Sequence, residues 1–73
     1  MKITCDAESD ALSIVFAETT VTTQHLAEGI AADYDTAGRL AGLEILDVRH
    51  RLGNVDTLRR IILEGVSLVE RDQ

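Results

Sequence analysis

The sequence predicts an α+β domain in which an antiparallel β-meander of about five to six short strands precedes one or two short helices near the C-terminal third. Short segments rich in β-branched residues alternate apolar and polar side chains with the period of a strand. Short polar connections rich in Asp, Thr and Gly separate these segments. After Asp47 the alternation stops. Because consecutive strands with short connections usually pair, a meander is the expected order.

The first two strands are predicted at about residues 2–5 and 11–16, joined as an antiparallel hairpin. The Asp and Ser side chains of the intervening loop can bond nearby backbone amides, which favours a turn. Alternation places Cys5 on the inner face, where a thiol has neither a base nor a cation beside it. We therefore expect Cys5 to be buried as a small hydrophobic residue.

Three further strands are predicted at about residues 19–25, 30–34 and 40–46. Four threonines around Val21 favour the first of these, since β-branched residues prefer strands. Between the last two, Gly38 can adopt the positive φ that a turn needs. Gly42 inside a strand indicates a bulge or a close approach of backbone.

The C-terminal third is predicted to form short helices at about residues 47–52 and 54–60. Gly53 is suited to end the first helix, and the side chain of Asn54 can cap the second. The β-branched residues that follow predict a C-terminal strand or arm at about residues 61–69. With 73 residues and no linker, the chain is expected to be a single domain, residues 1–73.

Size and charge limit the possible partners. A chain this short buries only about 60% of its unfolded surface, and one cysteine and two histidines offer neither a disulfide nor a metal staple. We therefore expect a homodimer. The net charge of -6 repels nucleic acid and anionic membranes, so neither is an expected partner. An unpaired cysteine and the lack of a secretory signal or membrane-spanning run predict a cytoplasmic protein.

The order and spacing of several short motifs resemble a known family over about residues 1–52. These motifs are Met1-Lys2-Ile3-Thr4, Asp6, Asp10-Ala11-Leu12, Glu28-Gly29-Ile30, Asp33-Tyr34-Asp35, Gly38-Arg39, Gly42-Leu43-Glu44-Ile45-Leu46 and Arg51-Leu52. The sequence is similar to the domain-of-unknown-function family 2283 (DUF2283) of small prokaryotic proteins, and departs from it at Cys5, Ala7 and Ala37. The resemblance implies a small α+β fold without an established activity. Some members are encoded beside small toxin-like proteins, which would imply an antitoxin-like role with a second small, basic protein as partner.

Asp33, Asp35 and Glu44 are the candidate metal-ligating or acid/base residues. With Gly38 they have the spacing of an EF-hand calcium loop, but Ala37 removes one ligand. Thr22, Thr23 and Gly29 also stand where an entering helix should run, and the exit contains Gly42. A β-turn stabilised by Asp35 is the expected alternative. Asp33 and Asp35 lie two residues apart and so share a strand face, as a carboxylate pair of an enzyme would.

We expect a non-enzymatic protein–protein interaction domain without a cofactor or catalytic residues. A short open sheet leaves strand edges that invite pairing, and the C-terminal segment is more apolar than so small a core can cover. The residues expected to carry the interaction are Ile61, Ile62, Leu63, Val66, Leu68 and Val69. An antitoxin-like partner and a cation-binding or acid/base site remain the alternatives.

Overall fold

The structure, a computed structural model, describes residues 1–65 and has the predicted α+β class. Its elements in chain order are β1 (Lys2–Asp6), β2 (Ala11–Val15), β3 (Thr22–Ala27), β4 (Ile30–Tyr34), β5 (Leu40–Leu46), the helix α1 (Val48–Leu52) and a 3-10 helix (Val55–Arg59). All strand pairs are antiparallel and form one five-stranded sheet. Both predicted short helices are therefore present, the second with 3-10 geometry.

The sheet has the order β1-β2-β5-β4-β3, which is meander-like with one rearrangement. Consecutive strands pair as hairpins except that β2 lies beside β5, so β5 occupies the centre of the sheet. Residues 16–21 must then carry the chain across three strand spacings, or about 14 Å, to the far edge. This crossing explains why the third strand, predicted from residue 19, begins only at Thr22: the preceding threonines have no strand beside them.

The turns form as their side chains predict. Asp6 accepts hydrogen bonds at Oδ1 from the amides of Glu8 (3.0 Å) and Ser9 (3.5 Å). Asp35 accepts at Oδ1 from the amide of Arg39 (2.8 Å), while Gly38 adopts a φ of 81°. These contacts satisfy backbone donors that the tight turns leave without a strand partner.

Both predictions for Gly42 are confirmed. The pairing of β4 with β5 shifts register between Asp33 and Tyr34, which leaves Ala41 as an extra residue in β5. A β-carbon on Gly42 would lie 3.0 Å from the carbonyl oxygen of Ile14. The bulge thus brings β5 close to β2 at a point where only glycine leaves enough space.

Two arginines attach α1 to one end of the sheet. The amide and side chain of Arg49 bond to Asp10 Oδ1 and the carbonyl of Ala7, respectively. Arg51 donates from Nε to the carbonyl of Leu46 (2.9 Å) and from Nη2 to the carbonyl of Glu28. The helix therefore connects the β1–β2 loop, the β3–β4 turn and the end of β5.

The core is thin. Within residues 1–65, five apolar residues are buried, three of them alanines: Leu12, Ala31, Ala32, Ala41 and Val48. Cys5, expected to be buried, is exposed instead. It does face the same side as its partner Leu12, but β1 is an edge strand and has a neighbour on one side only. The alternation of apolar and polar residues therefore predicted the face of Cys5 correctly, but the prediction that Cys5 is buried was wrong.

Residues 61–65 form an exposed segment without regular structure, so the strand alternative for the C-terminal prediction is not found there. The rest of that prediction, including Val66, Leu68 and Val69, lies outside the described residues. Neither of the two short helices within residues 1–65 is long and apolar enough to cross a membrane.

Candidate functional site

The strand register divides the sheet into two chemically different faces, because directly paired residues of neighbouring strands share a face. We call one the apolar face and define it by seven of its apolar residues, namely Ile3, Leu12, Ile14, Ile30, Ala32, Leu43 and Ile45. The other we call the polar face; its members include Thr4, Ser13, Thr23, His25, Asp33 and Glu44. On the apolar face only Leu12 and Ala32 are buried, and the other five members, all Ile or Leu, remain half-buried.

The polar face brings Asp33 and Glu44 together at the middle of the sheet. Glu44 pairs with Ala31, so Asp33 is its diagonal neighbour on the adjacent strand. A hydrogen-bonding interaction with the carboxyl group of Asp33 is the largest cause that raises the pKa of Glu44 above its usual range. Partial burial and the charge of Asp33 raise the pKa further, whereas nearby His25 lowers it. The neighbouring carboxyl group of Asp33 therefore favours the protonated form of Glu44.

Two side chains of the edge strand β3 complete this cluster. Thr23 Oγ1 donates a hydrogen bond of 2.5 Å to Asp33 Oδ1, and Thr23 and Asp33 are directly paired. His25 lies opposite Ala31, whose other neighbour is Glu44. Thr23, His25, Glu44 and Leu46 line one shallow depression. We call Thr23, His25, Asp33 and Glu44 the carboxyl cluster.

The structure separates Asp35 from the other two candidate ligands. Asp35 lies beyond the end of β4, and its Oδ2 accepts from Arg39 Nε at 3.2 Å. Hydrogen bonding from the Arg39 amide holds the pKa of Asp35 below its ordinary value. Within residues 1–65, no group of three His, Cys, Asp or Glu side chains is placed to hold a metal ion. Residues 35–38 form the predicted β-turn, in which the amide of Gly38 donates to the carbonyl oxygen of Asp35 at 3.0 Å.

Sequence reasoning named Asp33 and Glu44 but missed Thr23 and His25. Their only sequence signal is the alternation along β3, which places both on one face. Knowing which face they join requires the pairing of β3 with β4, and that pairing is set by the Glu28–Gly29 turn. Chemically, the carboxyl cluster can hold a proton or accept a cationic group.

Glu44→Gln is expected to stabilise the protein at neutral pH. Because the folded pKa of Glu44 is raised, the folded state binds more protons than the unfolded state between the ordinary pKa of 4.5 and the raised value. Stability therefore falls as the pH rises through that window, and the loss is complete above it. Removing one of two neighbouring like charges should raise the unfolding free energy at neutral pH by a few tenths to about 1 kcal/mol. Urea titrations across the window measure both effects.

Glu8→Gln is the matched control, since it removes the same charge from an exposed loop. It should leave both the stability at neutral pH and the shape of the pH profile unchanged. A Glu44→Gln protein with the wild-type pH profile would show that the pKa of Glu44 is not raised in the folded state. At lower pH, Asp6 and Asp35 act in the opposite direction: their folded pKa values are depressed, so their stabilisation is lost as the pH falls through those values.

The residues that carry the family resemblance mostly have structural roles. Asp6 and Asp35 bond turn amides, and Asp10 bonds the first turn of α1. Gly29 adopts a φ of 74° beside Arg51, which joins α1 to the sheet. These motif residues thus help to form the fold. Asp33 and Glu44 differ from them, because their neighbouring carboxyl groups raise the pKa of Glu44.

Comparison with known proteins supports the family resemblance. Residues 2–49 match the family described as "Protein of unknown function (DUF2283)", and the match covers all five strands. Neither the curated proteins nor the solved structures provide a match. The 3-10 helix and the C-terminal apolar residues lie outside the matched region. The chain belongs to the DUF2283 family.

Proposed function

We propose that this chain is a non-enzymatic protein–protein interaction domain that forms a homodimer. The observation that carries the proposal is the exposure of the C-terminal apolar segment, which we define as Ile61, Ile62 and Leu63: 52%, 58% and 67% of the surface of these residues is accessible. Three adjacent large aliphatic residues in water are unfavourable by about 25 cal/mol per Å² of apolar surface. Covering them in a complex is the simplest way to recover that free energy.

The architecture of the sheet supports the same proposal. Stable domains are built from at least two packed layers, because a sheet with an apolar face must bury that face against another element. Here α1 and the 3-10 helix have five residues each, and no other element of residues 1–65 adds a second layer to the sheet. Large residues of the apolar face stay half-buried as a result. A second copy can cover part of the apolar surface that the single chain leaves exposed.

The exposed, unpaired thiol of Cys5 supports a cytoplasmic location, because such thiols persist in reducing compartments.

Replacing Ile61, Ile62 and Leu63 together by serine should dissociate the dimer. The change removes three exposed aliphatic side chains and replaces no buried residue, so the sheet should remain folded. We expect the dimer dissociation constant to rise at least 100-fold, since each buried aliphatic side chain is worth about 1.5–3 kcal/mol. Sedimentation velocity over a range of protein concentrations measures the change, and circular dichroism checks the fold.

The matched control replaces the flanking polar residues Arg60 and Glu64 by serine. Both are exposed, and their loss should leave the dissociation constant within a few-fold of wild type. A triple-serine variant that dimerises as tightly as wild type would exclude the C-terminal apolar segment from the interface.

A second small, basic protein is the other candidate partner, as in an antitoxin-like role. The observation that favours it is the carboxyl cluster: a cationic side chain placed on Asp33 and Glu44 would relieve their mutual repulsion. The overall charge of -6 would also attract a basic partner. Co-expression with the neighbouring gene's product tests this role: co-purification that Glu44→Gln weakens supports it, and failure to co-purify rejects it.

A further inference from the structure

We propose that two copies pair edge to edge through β1, antiparallel about a two-fold axis at Thr4, to form a continuous ten-stranded sheet. The inference rests on the proposed homodimer and gives it a geometry. It also names a contact that is separate from the C-terminal apolar segment. Two properties matter for such pairing: which edge of the sheet is free, and whether the sequence of β1 matches itself in reverse.

β1 is the edge suited to pairing. All five of its residues pair with β2 in unbroken register, so its outer side presents a regular row of backbone groups. The opposite edge, β3, is interrupted by a register shift between His25 and Ala27. Bulges twist an edge and block the addition of another strand, whereas a straight unpaired edge invites it. The two edges of the sheet are therefore not equivalent.

The sequence of β1 is complementary to itself in reverse. With the two-fold axis at Thr4, Lys2 of each copy faces Asp6 of the other, and Ile3 faces Cys5. An isologous contact requires this kind of self-complementarity, because the same patch must match itself after rotation. Opposite charges, apolar pairs and a Thr–Thr pair are favourable cross-strand combinations. All five residues of β1 therefore face favourable partners in a single antiparallel register about the two-fold axis.

The side chains involved are free to make these contacts. Lys2 has no ion pair within residues 1–65, and Asp6 uses Oδ1 in its own turn, which leaves Oδ2 available. Cys5, exposed in one copy, would lie against Ile3 of the other and extend the row of Leu12 and Ile45 across the dimer. The pairing therefore covers an apolar side chain that the single copy leaves in water.

Disulfide crosslinking tests directly whether residue 3 of one copy lies opposite Cys5 of the other. In the paired dimer, the Cα atoms of residue 3 and the other copy's Cys5 would be about 4.5–5.5 Å apart, within the range a disulfide spans. Mild oxidation of Ile3→Cys should therefore yield disulfide-linked dimers from most chains. In wild type, the two copies of Cys5 would be diagonal neighbours with Cα atoms about 7–8 Å apart, beyond the range of a disulfide, and should not crosslink. Leu26→Cys, which places a second exposed thiol on the β3 edge, is the matched control and should not crosslink either.

A charge test keeps the proposal falsifiable if Ile3→Cys disturbs the fold. Lys2→Glu places like charges opposite each other twice in the symmetric dimer and should raise its dissociation constant about tenfold. Adding Asp6→Asn, which retains the turn-bonding oxygen, should recover most of that loss. Both effects should shrink in high salt.

The outcomes distinguish this inference from the homodimer on which it rests. Failure of Ile3→Cys to crosslink, or a Lys2→Glu dimer as tight as wild type, overturns the β1 pairing. The homodimer proposal survives that result if sedimentation still shows a wild-type dimer. A wild-type chain that is monomeric at every concentration overturns both. Crosslinking of Ile3→Cys together with charge-dependent association supports the ten-stranded sheet.

Discussion

Leu12→Ala should leave a large fraction of the protein unfolded at 25 °C. Leu12 is 6% exposed and, among residues 1–65, is the only large side chain buried within the sheet. Leu→Ala changes at buried sites cost about 2.7–5 kcal/mol, because the removed methyl groups leave a cavity. A 73-residue chain is expected to have a total stability of roughly 4–11 kcal/mol, and so thin a core places this protein near the lower end. Urea denaturation followed by circular dichroism measures the loss.

Leu26→Ala is the matched control for Leu12→Ala. Leu26 lies on the edge strand β3 and is 52% exposed, so its truncation should cost less than about 1 kcal/mol. Both variants and wild type must be compared at one protein concentration, since dimerisation itself stabilises the folded state. Equal losses for the two variants would show that Leu12 is not part of the core of the domain.

Gly29→Ala should also destabilise the protein strongly, for two separable reasons. Gly29 has a φ of 74°, a conformation that costs a residue with a β-carbon about 1–2 kcal/mol. The new β-carbon would also lie 2.7 Å from Arg51 Nη2. Arg51 would have to move and give up its bond to the carbonyl of Glu28, which adds about 1–2 kcal/mol. Thermal and urea unfolding should show a total loss of about 2–4 kcal/mol.

Gly38→Ala separates these two causes. Gly38 has a φ of 81°, but within residues 1–65 no atom beyond its chain neighbours lies within 4 Å of the position a β-carbon would take, so only the backbone penalty applies. Gly29→Ala should thus cost more than Gly38→Ala in wild type, and about the same in an Arg51→Ala background. Equal costs in the wild-type background would mean that Arg51 does not join α1 to the β3–β4 turn.

Local features of the fold could be predicted from the sequence. The bonds of Asp6 and Asp35, the positive φ of Gly38 and the cap at Asn54 each depend on residues a few positions apart. Side chains that bond their own backbone need no information about distant strands. The turns, both short helices and four of the five strand positions followed from such signals, with small differences at their ends.

Long-range features could not be predicted in the same way. That β2 lies beside β5, and that β3 therefore begins at Thr22, depends on which distant strands compete for one edge. The exposure of Cys5 depends on β1 being an edge, which alternation does not reveal. The contact between Asp33 and Glu44 depends on the register of β4 with β5. Each of these is decided by tertiary pairing.

The most direct test of the central proposal is the mass of the wild-type protein in solution. Sedimentation equilibrium should be measured on the full chain at several concentrations, in a reducing buffer so that Cys5 forms no disulfide. We expect a concentration-dependent equilibrium that ends at the mass of two 8.0 kDa chains. A single 8.0 kDa species at every concentration would contradict the proposal that this domain functions as a homodimer.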